Sequence, residues 1–221
     1  IIGVCRQGSQ YNFSKCTFLK DPINEFINIY KNKTQLIKPN FFKDFKNSKI
    51  IEKEEDCNFI VQAILNKVNI KKLNLLYQAT VNGDSSRDFK KHCNYKGPTL
   101  TLIKTKNDDV FGGFTKCNLT NAPSYGYDED AFLFSISNKK IFDVIKPEKA
   151  IITYEINYAF ACFGNTNDWD GLYFFDDFLS TKQGYNNPKK LTDIYNLPDS
   201  KLLCNEYYFQ LKEMEVYQIV I

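Results

Sequence analysis

The sequence holds a single histidine, a single methionine and a single tryptophan in 221 residues. No Cys-x-x-Cys pair occurs, and His92 alone cannot supply the paired imidazoles usual in zinc modules, so a zinc site is not expected. The seven cysteines, Cys5, Cys16, Cys57, Cys93, Cys117, Cys162 and Cys204, are odd in number and irregularly spaced. They read as free thiols in a reducing compartment, not as a disulfide frame. No stretch approaches the ~18 consecutive apolar residues that a bilayer-spanning helix requires, because Lys, Asn, Asp or Glu interrupts each one. Direct membrane insertion is therefore not expected. Neither sign of charge dominates: 29 Lys+Arg stand against 26 Asp+Glu, a net +3. The lysines are scattered as pairs such as Lys71-Lys72 and Lys139-Lys140. A nucleic-acid partner needs a concentrated basic face, and none is visible. The first residue is Ile, and residues 1–9 lack the basic start and apolar stretch of a signal peptide, so the chain reads as a piece of a longer protein.

What is present is apolar and aromatic. The hydrophobic share is 43%, with 19 Phe and 14 Tyr, enough for one sizeable folded domain with an extension. Residues 1–47 read as that extension, an arm carrying a short helix. Asp21-Pro22 supplies a cap and a first-turn proline, Ile23, Phe26, Ile27 and Tyr30 share one stripe, and Pro39 marks the end. Its aromatics Tyr11, Phe13, Phe41 and Phe42 are expected to be exposed. A second helix is expected from about Glu54 to Val68, with acidic residues in its first turn and Phe59, Ile60, Ala63, Ile64 and Val68 along one side. From Leu73 onward the pattern becomes short β runs: 73–80, 99–105, 110–115, 131–136, 150–156, 172–175 and 207–221. A short helix capped by Ser85 or Ser86 lies between the first two. Lys106-Asn107-Asp108-Asp109 reads as a hairpin loop. Residues 99–105 are apolar on both faces, which places that strand inside a sandwich or beneath a helix. A doubly wound parallel sheet is disfavoured, because strands do not alternate with long helices.

Candidate chemistry is sparse. Ile1-Ile2-Gly3-Val4 and Gly83-Asp84-Ser85 imitate parts of a trypsin-like protease, but His92 follows the serine instead of preceding it. His92-Cys93 are neighbours on a short helix, about 100° apart, and are poorly placed to act as base and nucleophile. Phe111-Gly112-Gly113-Phe114 lacks the Lys-Ser/Thr of a phosphate loop. Paired glycines inside a strand instead mark a bulge or a close approach of another chain or ring. Gly97-Pro98 ends one helix and launches the strand at Thr99. Glu213 and Glu215 point the same way as Tyr217, so Glu215 is expected to be partly buried and hydrogen-bonded to a backbone turn. Asp128-Glu129-Asp130 reads as a solvated loop. Trp169, within Asn167-Asp168-Trp169-Asp170-Gly171, either caps the core or, together with Asp168 and Asp170, forms a contact point for a partner.

Several of these stretches occur together in a familiar order. The run from Cys93 through Gly97-Pro98-Thr99-Leu100-Thr101-Leu102 to Lys104 is followed by Val110-Phe111-Gly112-Gly113-Phe114-Thr115 and Asp130-Ala131-Phe132-Leu133-Phe134-Ser135-Ile136. With Leu75-Leu76-Tyr77, Gly171-Leu172-Tyr173-Phe174 and Met214-Glu215-Val216-Tyr217, this resembles the TLDc domain family over residues 48–221. The resemblance implies an α+β, mainly β fold: a two-sheet antiparallel β-sandwich flanked by helices and short one-turn helices. Gly97, Pro98, Thr99, Gly112, Gly113, Phe132, Phe134, Gly171 and Glu215 would be its structural motif. Where many members carry a glycine-rich run, this chain has Gly164-Asn165-Thr166-Asn167-Asp168-Trp169-Asp170. The family brings no agreed catalytic residues, so no catalytic, cofactor or metal site is expected. It is associated with resistance to oxidative stress and with binding the vacuolar proton pump (V-ATPase). The first reading is thus a non-enzymatic, cytoplasmic protein-interaction module that binds and regulates the cytosolic sector of a V-ATPase at an acidic organelle. The second is an architectural component of a cytoskeletal or ciliary assembly. The third is a thiol-based peroxide scavenger, which needs an exposed cysteine of low pKa.

Overall fold

The computed structural model describes residues 40–122, 124–153, 162–166, 169–174, 179, 184–186 and 188–221. The chain divides into Ile1–Asn40 and Phe41–Ile221. The helix expected near Pro22 to Tyr30, together with Tyr11, Phe13, Cys5 and Cys16, lies outside the described residues.

Helix α1 spans Glu54–Leu65, with Glu54, Glu55 and Asp56 in its first turn. Its buried residues Cys57, Ile60, Val61 and Ile64 recur at helical spacing, and this stripe drives the helix onto a sheet. The helix stops short of Val68, whose N–H turns back to the Ile64 carbonyl. One six-stranded antiparallel sheet, in the order β1-β12-β2-β3-β5-β6, contains β1 (Lys72–Gln78), β2 (Thr99–Thr105), β3 (Val110–Thr115), β5 (Phe132–Ser135), β6 (Lys140–Asp143) and β12 (Leu211–Val220). The other runs β11-β10-β9-β8-β7-β4. It comprises β4 (Ser124–Gly126), β7 (Ile151–Thr153), β8 (Cys162–Thr166), β9 (Trp169–Phe174), β10 (Gly184–Asn186) and β11 (Tyr208–Phe209). Short helices α2 (Ala79–Asn82), α3 (Ser86–Cys93) and α4 (Pro188–Ile194) complete the unit. Ser85 caps α3 by accepting from Asp88 N–H. The hairpin loop falls between Thr105 and Val110, as the sequence predicts.

The first sheet is the middle layer. Ile103, Phe111, Leu133, Met214 and Val216 pack with Phe163, Leu172 and Phe174 of the second sheet, whereas Leu100, Leu102, Phe114, Phe132, Phe134, Tyr217 and Ile219 pack under α1. The double apolar face of residues 99–105 follows from this: one face meets a sheet and the other a helix. Gly113 sets the spacing of the sheets. A Cβ there would fall 2.6 Å from the Phe163 ring, so only glycine lets that ring lie directly on the β3 backbone. Gly112 faces the other way, where a Cβ would stand 2.7 Å from Phe134 Cζ.

The stretch before α1 departs from expectation. Phe41–Phe45 forms a 3-10 helix with Phe41 and Phe45 buried. Phe41, expected to be exposed on an arm, is only 5% accessible. Phe45 meets the Tyr217 ring at a centroid separation of 4.6 Å. Asp44 Oδ2 accepts the Leu73 N–H at 2.9 Å, so this turn also closes a donor at the outer strand β1. Burying each ring stabilises the unit by about 2 kcal/mol.

Candidate functional site

Chemistry-bearing side chains converge most densely on the α1-facing side of β12. A register irregularity between Leu211 and Glu213 is followed by alternation, which places Glu213, Glu215 and Tyr217 on that one face. Glu215 is fully buried. Its Oε1 accepts from Lys49 N–H at 2.6 Å and from Gln78 Nε2 at 2.8 Å. Its Oε2 accepts from Ser48 Oγ at 2.6 Å and from Tyr217 OH at 3.2 Å. Ser48 Oγ in turn accepts the N–H groups of Ile50 and Ile51. Glu213, also buried, is built in parallel. Its Oε1 accepts from Thr80 N–H at 3.1 Å and Met214 N–H at 3.0 Å, and its Oε2 accepts from Thr80 Oγ1, with Lys49 Nζ 3.8 Å away.

This arrangement decides what the pair can do. Each carboxylate oxygen of Glu215 already receives two donors, so no lone pair is left to take a substrate proton or a metal. Four donors supply the hydrogen bonds that a buried carboxyl group needs to offset its desolvation. The pair is a clasp: it ties the 48–49 segment, the end of β1 and α2 to β12. Sequence alternation points to the buried face of Glu215. Ser48, Lys49, Gln78 and Thr80 carry no local signal, because they reach β12 only through the fold.

The other motif residues are framework and do not gather at the clasp. Gly97 takes a left-handed φ of 78° and donates its N–H to Asn118 Oδ1 at 2.8 Å. The Pro98 carbonyl accepts from Ile219 N–H at 2.9 Å, and Thr99 opens β2. Phe132 stacks on Phe114 at 5.2 Å and lies 6.3 Å from Phe134. Gly171 admits the Gly164 carbonyl, which would stand 2.6 Å from a Cβ. Asp168 lies outside the described residues, whereas Trp169 and Asp170 begin β9, opposite Thr166 and Asn165. Asp128 corrects the solvated-loop reading: it is 4% accessible and accepts from Thr115 Oγ1, Lys116 N–H and Asp130 N–H. A groove beside α1, lined by Phe59, Ala63, Phe132 and Ile141 with Lys67 and Asp143, brings no reactive group together, and its two charges pair at 2.9 Å.

The described thiols are poorly suited to peroxide chemistry. Cys57, Cys93, Cys162 and Cys204 are buried and Cys117 half-buried, and none forms a disulfide with another described cysteine. Burial pushes the Cys57 and Cys204 thiols up to about 12 and raises those of Cys93 and Cys117. A neutral thiol is a weak nucleophile. In native protein at pH 7.5, Cys57, Cys93 and Cys204 are expected to resist a thiol-specific disulfide reagent until a denaturant unfolds the chain. Labelling of any of them at the rate of a free thiol would contradict this. The sign of the pH effect follows. The folded values lie above the ordinary 9.0, so stability is unaffected below about pH 9 and falls as pH rises toward 12, by up to about 1.4 kcal/mol per pH unit per thiol. Denaturant midpoints measured from pH 7 to 11 would show it. Among the described residues no group of three or more His, Cys, Asp or Glu is placed to hold a metal, and no helix is long and apolar enough to cross a membrane.

Comparison with known proteins adds a family. The model described as "TLDc domain" matches residues 45–220. Curated relatives include the protein named "MTOR-associated protein MEAK7" from Homo sapiens, 26% identical over 159 residues that cover 66% of this chain and 32% of that protein. The protein of the same name from Mus musculus is 26% identical over 149 residues, covering 65% and 31%. That from Gallus gallus is 25% identical over 162 residues, covering 67% and 31%. The chain thus spans about a third of the length of these relatives.

Proposed function

The chain belongs to the TLDc domain family, and from that premise we propose that it is a non-enzymatic docking module whose partner is the cytosolic sector of a V-ATPase, with oxidative-stress resistance as a consequence. The observation that carries this reading is the saturation of the buried Glu215 carboxylate by four donors, with Glu213 bonded beside it to Thr80 and the Met214 N–H. The densest polar constellation among the described residues is spent on holding backbone segments together, and burial raises the thiols of Cys57, Cys93, Cys117 and Cys204. A stiff sandwich that presents loops makes interfaces without reactive side chains. The experiment is a pull-down of purified cytosolic pump sector by the immobilised chain. Retention at micromolar concentrations is expected, and its absence would overturn the pump as partner.

A second reading rests on the relatives' name, which associates them with MTOR. Purified MTOR as a parallel bait separates the two: retention by MTOR and not by the pump sector favours the second.

A further inference from the structure

Resting on the docking reading, we propose that the end of the sandwich formed by the 94–97 turn, the 118–122 loop and β4 is the docking surface, and that it takes an extended, acidic segment of a protein partner. Three observations meet there. The first is a strained, exposed ring. Tyr95 holds a left-handed φ of 60°, costly for a bulky side chain, and is 65% accessible. Tyr95 N–H donates to the Leu119 carbonyl at 2.9 Å, and Gly97 N–H and the Asn94 amide donate to the Asn118 and Asn121 side chains. These bonds fasten the turn to the loop and fix the ring in solvent. Thr153 of β7 joins the same loop to β4: its Oγ1 donates to the Ala122 carbonyl at 2.8 Å and lies 3.0 Å from Ser124 Oγ.

The second is a sheet edge. Among the described residues strand β4 ends its sheet and carries Tyr125, 55% accessible, with Tyr127 just beyond at 67%. The Ala150 carbonyl accepts from Gly164 N–H of β8, so alternation turns Ile151 and Thr153 toward their partners Gly126 and Ser124. The N–H and C=O of Tyr125 then point away from β7, where an added strand would pair with them.

The third is an orphan. Asn94 is 9% accessible, and its Oδ1 is buried without a hydrogen-bond partner. Exchanging the amide's O and N would leave one end orphaned all the same. A partner's backbone N–H supplies the missing donor once the Asn94 side chain turns outward.

Charge selects the occupant. Lys91 and Lys96 flank Tyr95, both exposed, and neither enters the ion pairs found among the described residues. A strand bearing carboxylates on one face pairs with them and lays its other side chains against the tyrosines.

The test uses the full chain, nitrogen-15 labelled, titrated with a capped peptide of alternating Glu and Val, and separately with its Lys and Val counterpart. Saturable amide shifts confined to residues 91–97, 118–122 and 124–127 are expected with the acidic peptide. Binding of the basic one is expected to be at least about tenfold weaker. A Lys91→Glu/Lys96→Glu chain should lose the preference, and a Tyr95→Ser/Tyr125→Ser chain should lose binding with an unchanged melting temperature. No saturation by about 1 mM, shifts elsewhere, or equal response to both peptides would overturn the proposal. The tyrosine variant also goes into the pump-sector pull-down. Full retention there moves the docking surface elsewhere and leaves the proposed function standing. Failure of the unaltered chain to be retained, alongside the expected peptide shifts, removes the pump and keeps the surface.

Discussion

Glu215→Ala is expected to lower the unfolding free energy by about 3–5 kcal/mol, or roughly 10 °C in melting temperature for a domain of this size. The substitution deletes the one acceptor that Ser48 Oγ, Lys49 N–H, Gln78 Nε2 and Tyr217 OH share. It leaves those donors facing a cavity that lies between the 48–49 segment and the sheet. The loss should be uneven. Amide hydrogen exchange should rise first at Lys49, whose segment meets β12 through the clasp, and then around Gln78, where the β1–β12 ladder ends opposite Glu215. Glu215→Gln preserves the shape but turns an NH2 group toward two of the four donors, so it should fall between the two, near 2 kcal/mol. Thermal and denaturant unfolding of the three chains checks the series. If Glu215→Ala unfolds within about 1 kcal/mol of the unaltered chain, the carboxylate is not a structural clasp and an acid–base role returns.

Gly113→Ala is expected to cost about 1–3 kcal/mol, although it adds one methyl group to a strand, where alanine would ordinarily be the better residue. The added carbon would stand 2.6 Å from the Phe163 ring, which belongs to the other sheet and is itself buried. The ring cannot withdraw without separating the sheets, because Leu172, Phe174 and Ile151 surround it in the same core. A rescue identifies the cause. Phe163→Leu alone should destabilise by leaving a gap, whereas with Gly113→Ala it should cost less than the sum of the single changes, a coupling of about 1 kcal/mol or more. Additive costs would mean that the methyl group is resisted by local β3 geometry and not by the facing sheet.

The sequence carries the layered fold with some clarity, and the reasons are physical. Residues 99–105 read as apolar on both faces because their strand lies in the middle layer. Gly112-Gly113 read as a place of close approach because glycine in a strand interior has few other uses. Glu215 could be put on a buried face from its alternation with Tyr217 and Ile219. Its partners could not, since Ser48 lies 167 positions away and Gln78 137. Phe41 was hidden for a different reason: a short 3-10 turn flanked by lysines has no amphipathic period, and its burial depends on the sheet it meets. Asp128 misled because three consecutive acidic-type positions imply solvent, whereas Thr115 and two backbone N–H groups close around the one that turns inward.

The docking reading meets its most direct test when one preparation of the reduced 221-residue chain is used for two assays: equilibrium binding to purified cytosolic pump sector and consumption of hydrogen peroxide. Saturable binding in the micromolar range or tighter, unaltered by Cys117→Ser, with peroxide removed no faster than by the same concentration of a small free thiol, is the expected result. Catalytic turnover of peroxide without measurable binding would contradict it.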